Sequence, residues 1–287
     1  MELLVVAEGV WYTYPNGVEA LRGVDLIIRR QDYIALIGPN GSGKTTLAKQ
    51  FNGLLRPTRG RLTVKGLDTR QTPSEQLATI VGYTFQNPDH MLFSTSIEEE
   101  VSFGPRNLKL PQDEIKRRVD EALEVAGLVT YRKESPLFFG KGVRRMITIA
   151  SVLSMRPEML IIDEPTTGMD HRGRVAVMGL LDELSRRGHA IIIITHDMQV
   201  VANHTRRTVV MHGGTIALDA PTAEVFTHED ILAKAGLRPP QRFQLAQAIK
   251  FAYEGLPSVE ALAQYVEQCA SAGSEGDKEA EDQTKSS

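Results

Sequence analysis

The chain has 287 residues, ample for a sizeable core in two domains or in one large domain with an appendage. Hydrophobic residues at 41% and charged residues at 24% exclude a disordered, collagenous or disulfide-stapled chain, and the single cysteine, Cys269, excludes an internal disulfide. Lys and Arg number 33 against 36 Asp and Glu, so the net charge of −3 supplies no positive field for nucleic acid, and no nucleic-acid partner is expected.

The opening MELLVVAEGVWY has neither the basic stretch nor the small-residue cleavage site of a secretory leader, so none is expected. The strongly apolar runs, such as 159–162 and 190–194, fall far short of the roughly 18 residues that cross a bilayer, so any membrane role is expected to be peripheral.

Residues 3–30 read as short β-rich pieces around a Pro15-Asn16-Gly17 turn, an antiparallel edge layer. YIALI at 33–37 is a continuous apolar run of the kind buried on both faces, followed by a Gly-rich loop and the helical LAKQFNGLL. Between Pro111 and Gly127 the spacing of Ile115, Val119, Ala122 and Ala126 predicts an amphipathic helix over 112–126. A second helical stretch at 142–155 completes an α-rich insertion at about 95–156. MLIID at 159–163 and AIIIIT at 190–195 read as two more buried strands, separated by a helix around 172–186 that Gly188 ends.

Strands alternating with helices predict an α/β fold, a mainly parallel sheet with helices on both faces. TVVMHGGTIAL at 208–218 reads as a hairpin with a Gly-Gly turn. The expected division is a main α/β domain over 1–221, a helical segment over 222–270 with a hinge at Pro239-Pro240 and a last helix opened by Pro257, and a disordered tail over 271–287.

Gly38-Pro39-Asn40-Gly41-Ser42-Gly43-Lys44-Thr45 matches G-x-x-x-x-G-K-[ST] between a strand and a helix. Small residues let backbone N–H groups converge on an anion, and the following helix adds its positive N-terminus. Gly38 to Thr46 are therefore expected to bind the phosphates of a nucleotide, which makes 1–221 a nucleotide-binding domain, with Lys44 on the β- and γ-phosphates and Thr45 on Mg²⁺. The run MLII ends in Asp163-Glu164, at the carboxyl edge of the sheet where ligands bind. Asp163 would hold Mg²⁺, and Glu164 would polarise the attacking water.

With these motifs in place, Asp163-Glu-Pro-Thr-Thr-Gly-Met-Asp170 resembles the Walker B and D-loop of ABC-type ATPases, P-loop proteins, and Ile194-Thr-His196-Asp197 resembles their switch histidine. The resemblance implies ATP hydrolysis with Glu164, His196, Gln86 and Lys44 as catalytic residues. It places Gln86, in Tyr83-Thr-Phe-Gln86, on Mg²⁺ and in contact with a membrane partner. Tyr14 occupies the place of the aromatic that stacks on adenine; Tyr12, two residues away, is the other reading.

FQNPDHMLFSTSIEEEVSFGPRNL at 85–108 and APTAEVFTHEDILAKAGLRPPQ at 220–241 resemble the energy-coupling factor (ECF) branch, so that resemblance covers about residues 3–245. It implies a transmembrane T-subunit and a substrate-binding S-subunit as partners, uptake of a vitamin or metal ion, and a place on the cytoplasmic face of the cell membrane. Glu98, Glu99 and Glu100 fit either pairing with a basic coupling helix or a solvated charge run.

The chain departs from the family at the signature. The slot usually holding Leu-Ser-Gly-Gly-Gln reads Phe139-Gly140-Lys141-Gly142-Val143, and only Gly142 survives. Because the family's two ATPases meet head to tail, the expectation is a heterodimer with a second ABC ATPase, one site competent and one impaired. In another reading Lys141 supplies the lost phosphate contact, and in a third the chain is a nucleotide-binding interaction module with little turnover.

Overall fold

The computed structural model describes residues 2–249, 251 and 257–268. Cys269 and the tail 271–287 lie outside the described residues. β1 (Leu3–Thr13) and β2 (Glu19–Arg29) pair antiparallel, β3 (Tyr33–Ile37) leads into α1 (Lys44–Phe51), and β4 (Arg59–Val64), β5 (Leu67–Asp68), α2 (Ser74–Ala78) and β6 (Val81–Thr84) follow. α3 (Ile97–Asn107), α4 (Gln112–Val125) and α5 (Lys141–Leu153) form the helical layer before β7 (Met159–Asp163). Then come α6 (His171–Arg186), β8 (Ala190–Ile194), α7 (Met198–His204), β9 (Arg207–His212), β10 (Thr215–Pro221), α8 (Thr222–Val225), α9 (Glu229–Lys234) and α10 (Gln241–Ala248). Residues 259–268 are also helical.

The strands make two sheets. The central one runs β10-β9-β3-β8-β7-β6, parallel except for the β9–β10 hairpin, whose Gly213-Gly214 turn has positive φ at both residues. The other, β2-β1-β4-β5, is antiparallel. The layer expected at the edge is thus a separate sheet packed on a face. β4 and β6 escape a reading by hydrophobic runs: β4, RGRLTV, carries two arginines in six residues, and β6 is four residues with a glycine inside.

The apolar runs are buried because both faces of the central sheet are covered. On β7, Met159 and Ile161 point into the core shared with the antiparallel sheet, while Leu160 and Ile162 point into the helical layer. β8 divides its isoleucines likewise, 192 and 194 against 191 and 193. The segment expected as an appendage is not separate where it begins: Val225, Phe226, Leu232 and Phe243 share a core with Ala35 and Ile37 of β3 and Val210 of β9.

The glutamates of α3 are committed within the chain. Glu98 pairs with Arg132 at 2.6 Å, Glu99 accepts from the Thr95 hydroxyl, and Glu100, 4% exposed, accepts the N–H groups of Phe93 and Ser94. All three lie in the first turn, where negative charge offsets the positive end of the helix. This corrects both readings for Glu100, which is neither solvated nor free for a coupling helix because its carboxylate closes the preceding loop, whereas Glu99 is exposed.

α5 seats against β6 through Gly82, where an added Cβ would lie 2.1 Å from Val152 Cγ1. Gly82→Ala is expected to destabilise the chain by about 1–3 kcal/mol through overpacking. Chemical unfolding of the nucleotide-free protein measures this, and an unchanged midpoint would show that α5 does not depend on the contact.

Candidate active site

Register brings four strand ends together. Leu36 of β3 and Asp163 of β7 both stand opposite Ile194 of β8, and Thr84 of β6 stands opposite Ile162. The loops that leave these parallel strands therefore emerge side by side, at the edge where open α/β sheets bind ligands.

The loop after β3 wraps into α1. Gly38 has φ 146° and runs so close to β9 that a Cβ would lie 2.2 Å from the Met211 carbonyl oxygen, whereas a Cβ on Gly41 would meet no atom within 4 Å. The loop is thus tight behind and open in front. Lys44 Nζ donates to the carbonyls of Gly38 at 2.8 Å and Pro39 at 2.9 Å. Burial lowers the Lys44 pKa, opposed by the charges of Glu164 and Asp163. Asn40, Gly41, Gly43, Thr45 and Thr46 line a cleft of about 370 Å³ together with Lys44, Tyr14, Gln86, Asp163 and Glu164. Ser42 is buried, with its hydroxyl unpaired among the described residues.

Tyr14 stands at the rim of this cleft with its hydroxyl 3.0 Å from Thr46 Oγ1, and Tyr12 crosses it edge-on and packs against the inter-sheet core. Gln86, on the loop after β6, is exposed to the cleft.

Asp163 is 6% exposed and accepts from the Tyr83 hydroxyl at 2.9 Å and the Thr45 hydroxyl at 3.3 Å. Burial raises its pKa, and the two hydroxyls oppose that shift. Glu164 has the left-handed φ of 50°, which a residue with a Cβ adopts only when its surroundings enforce it. Its Oε1 lies 2.7 Å from His196 Nδ1, and its Oε2 accepts from Thr167 at 3.0 Å and Thr195 at 3.4 Å. A hydroxyl and a carboxylate bordering one cleft, with the Gln86 amide across it, form a hard oxygen donor set that suits Mg²⁺ bound mainly through phosphate and water.

Tyr83, Thr167, Thr195 and Arg145 join the site without having been singled out in the sequence. Thr167 is three residues past Glu164, and Tyr83 is on the strand just before Gln86, so spacing could have found both. Arg145 gives no local signal, since an arginine on an amphipathic helix reads as a solvated one.

In the signature slot Phe139 and Val143 pack on the helical core, Gly140 caps α5, and Lys141 is exposed, its Nζ 2.9 Å from where a Cβ on Gly168 would stand. A Cβ on Gly142 would lie 3.0 Å from Gly173 Cα at the start of α6. A larger cavity of about 600 Å³ lies away from these residues, between α4 and the ends of α5 and α6; its Arg118, Arg156 and Arg187 are paired with glutamates.

Residues 21–167 match the profile of the family described as ABC transporter. An ABC transporter ATP-binding homologue of Caldanaerobacter subterraneus subsp. tengcongensis is 42% identical over 248 residues, covering 86% of this chain and 44% of that protein, so the chain spans less than half the length of this relative. The energy-coupling factor transporter ATP-binding protein EcfA of Methanocaldococcus jannaschii is 36% identical over 86% of this chain and 89% of its own length. The solved structure of cbiO1 from Clostridium perfringens, part of the ABC transporter complex cbiONQ, matches with a TM-score of 0.74 and 36% identity, covering 86% of this chain and all of that one.

Tyr83→Phe removes one of two hydroxyls supporting a buried carboxylate, and a hydrogen bond to a charged group contributes about 1.5–3 kcal/mol. The nucleotide-free variant is expected to lose that much stability in chemical unfolding; a wild-type midpoint would show that Thr45 alone supports Asp163.

Proposed function

The chain belongs to the ABC transporter ATP-binding family, and from that premise we propose that it hydrolyses ATP as a peripheral subunit, on the cytoplasmic face of the membrane, of an energy-coupling factor importer for a vitamin or metal ion. The observation that carries this reading is the meeting of Lys44, Thr45, Gln86, Asp163 and Glu164 around one cleft, with His196 against Glu164. The names of the EcfA and cbiO1 relatives support the importer class.

The Gly38–Thr46 loop binds the phosphates through backbone N–H groups and the N-terminus of α1. Lys44 exchanges its two carbonyl acceptors for β- and γ-phosphate oxygens, a charge-assisted gain. Tyr14, anchored through Thr46, stacks on the adenine. Thr45, Asp163 and Gln86 hold Mg²⁺, which when bound offsets negative charge on the phosphates. Glu164 orients the attacking water and takes its proton, giving ADP and phosphate. Thr167, Thr195 and His196 fix that carboxylate, and in this reading His196 also meets the γ-phosphate.

The partners in this reading are a second ATPase, a T-subunit and an S-subunit. A helix of the T-subunit docks in an apolar groove of about 430 Å³ walled by Met91, Phe93, Phe103, Leu108 and Met155. Phe93 and Phe103 are 65% and 46% exposed and stack edge-to-face, and Met91 joins the groove to the Gln86 loop through its sulfur, which accepts from the Phe85 N–H. The signature slot favours an asymmetric pair. With Phe139 and Val143 turned into the core, only Lys141 and the flanking backbone are left for a partner's nucleotide. A second reading, a nucleotide-binding module with little turnover, rests on the same slot.

Phosphate release by the complex in which the full chain purifies tests these assignments. Glu164→Gln in this chain is expected to lower turnover of its own site by about 10²- to 10⁴-fold, the usual range for a general base, with ATP affinity kept. Turnover unchanged by the substitution would favour the module reading. The asymmetric pair predicts that a second ATPase with an intact signature co-purifies; a stable ATP-dependent dimer of this chain alone, turning over at ordinary transporter rates, would contradict it. Phe93→Asp is expected to release the chain from the membrane partner without altering ATP binding, and retention in the membrane fraction would place the docking face elsewhere.

A further inference from the structure

Arg145 is 1% exposed, less than any other charged residue described. Its terminal nitrogens donate to three backbone carbonyls, those of Phe85, Gln86 and, at 3.3 Å, Glu164, while its Nε has no partner among the described residues. Burial lowers its pKa to about 10, opposed by Asp163 and Glu164, so it carries its charge at neutral pH. An apolar side chain would fill the same space without desolvating a charge. What the guanidinium adds is a planar fork that holds acceptors on two separate segments at once.

Both segments belong to the site. One is the loop that carries Gln86. The other is the peptide after Glu164, whose φ of 50° persists only if enforced; the Glu164 N–H is fixed to the Ile194 carbonyl at 2.8 Å and its own carbonyl is taken by Arg145. The arginine rides on α5, one helical turn beyond Lys141, the residue of the signature slot that reaches over Gly168.

We infer that Arg145 is a positioning residue that ties the signature end of α5 to the Gln86 loop and to the backbone of Glu164, so that engagement of the signature by a partner subunit sets the geometry of hydrolysis in this chain's own site. The inference rests on the hydrolytic role proposed for Glu164 and goes beyond it in linking the two sites of a dimer through one side chain. Arg145 touches no substrate. Its effect passes through the carbonyls it holds.

Hydrogen exchange on the nucleotide-free full chain tests the tie directly. Arg145→Met should raise amide exchange in segments 84–88 and 164–168 by about tenfold or more, as local opening does, with the strands of the central sheet unchanged. In the purified complex with Mg²⁺ and ATP, the variant's KM for ATP should stay within about threefold while kcat falls by about 100-fold, the penalty of a small misplacement at the reacting centre. Arg145→Lys keeps the charge without the fork; its kcat should lie between the two, and it decides the matter if the Met variant fails to fold. Wild-type exchange in both segments, or a kcat within threefold of wild type in the Lys variant and in a folded Met variant, would overturn the inference. Glu164→Gln is measured alongside. If that variant hydrolyses at the wild-type rate, the hydrolytic reading is what fails, and the exchange experiment still reports whether Arg145 holds the two segments.

Discussion

Asp163 ends a fully buried strand with 6% of its surface exposed, and a carboxylate placed there loses most of its hydration. Every neighbour can be read as a response to that loss. Tyr83 and Thr45 donate hydroxyl hydrogens to it, and Lys44 and Arg145 bring positive charge close without forming a closed ion pair with it. A closed pair would occupy the lone pairs that the carboxylate would offer, in the proposed reading, to a cation or its bound water. The arrangement leaves the carboxylate supported yet available, and burial, which raises the Asp163 pKa and lowers that of Lys44, sharpens the response of both to an incoming charged ligand.

The sheet supplies the alignment on which this depends. Because β3, β8, β7 and β6 run parallel and in register, the phosphate loop, His196, Asp163-Glu164 and the Gln86 loop leave it at one level. The isoleucines of β8 grip the two covering layers alternately, so the strand can shift neither sideways nor along its axis without exposing apolar surface. The level at which the site's loops begin is thus set by the packing of that core.

Much of this was legible in the sequence because the signals are local. A glycine-rich loop between a strand and a helix, and an apolar run ending in two acids, each state their geometry within a few residues. Tyr14 and Gln86 came from resemblance, and the structure places both on the cleft. What stayed illegible depends on distant partners. Glu100 looked like part of a surface charge run, yet its carboxylate is spent on two backbone N–H groups at the start of its own helix. Arg145 drew no reading, since no pattern within α5 reveals that loops about 60 and 20 residues away in sequence supply its acceptors. β4 and β6 were missed because one alternates with arginines and the other is too short to show a period. The helices after β10 read as separate because helical spacing does not say which surface a helix covers.

The close approach of Gly142 to Gly173 separates two kinds of constraint within one short motif. In the proposed asymmetric pair, the signature positions held here by Gly140 and Val143 would answer to a nucleotide on another subunit. Gly142 answers to the start of α6 in its own chain, which no partner can relieve. One short motif thus carries two separate demands, and Gly142, the one signature residue left in the Phe139–Val143 slot, meets the demand set by packing within the chain.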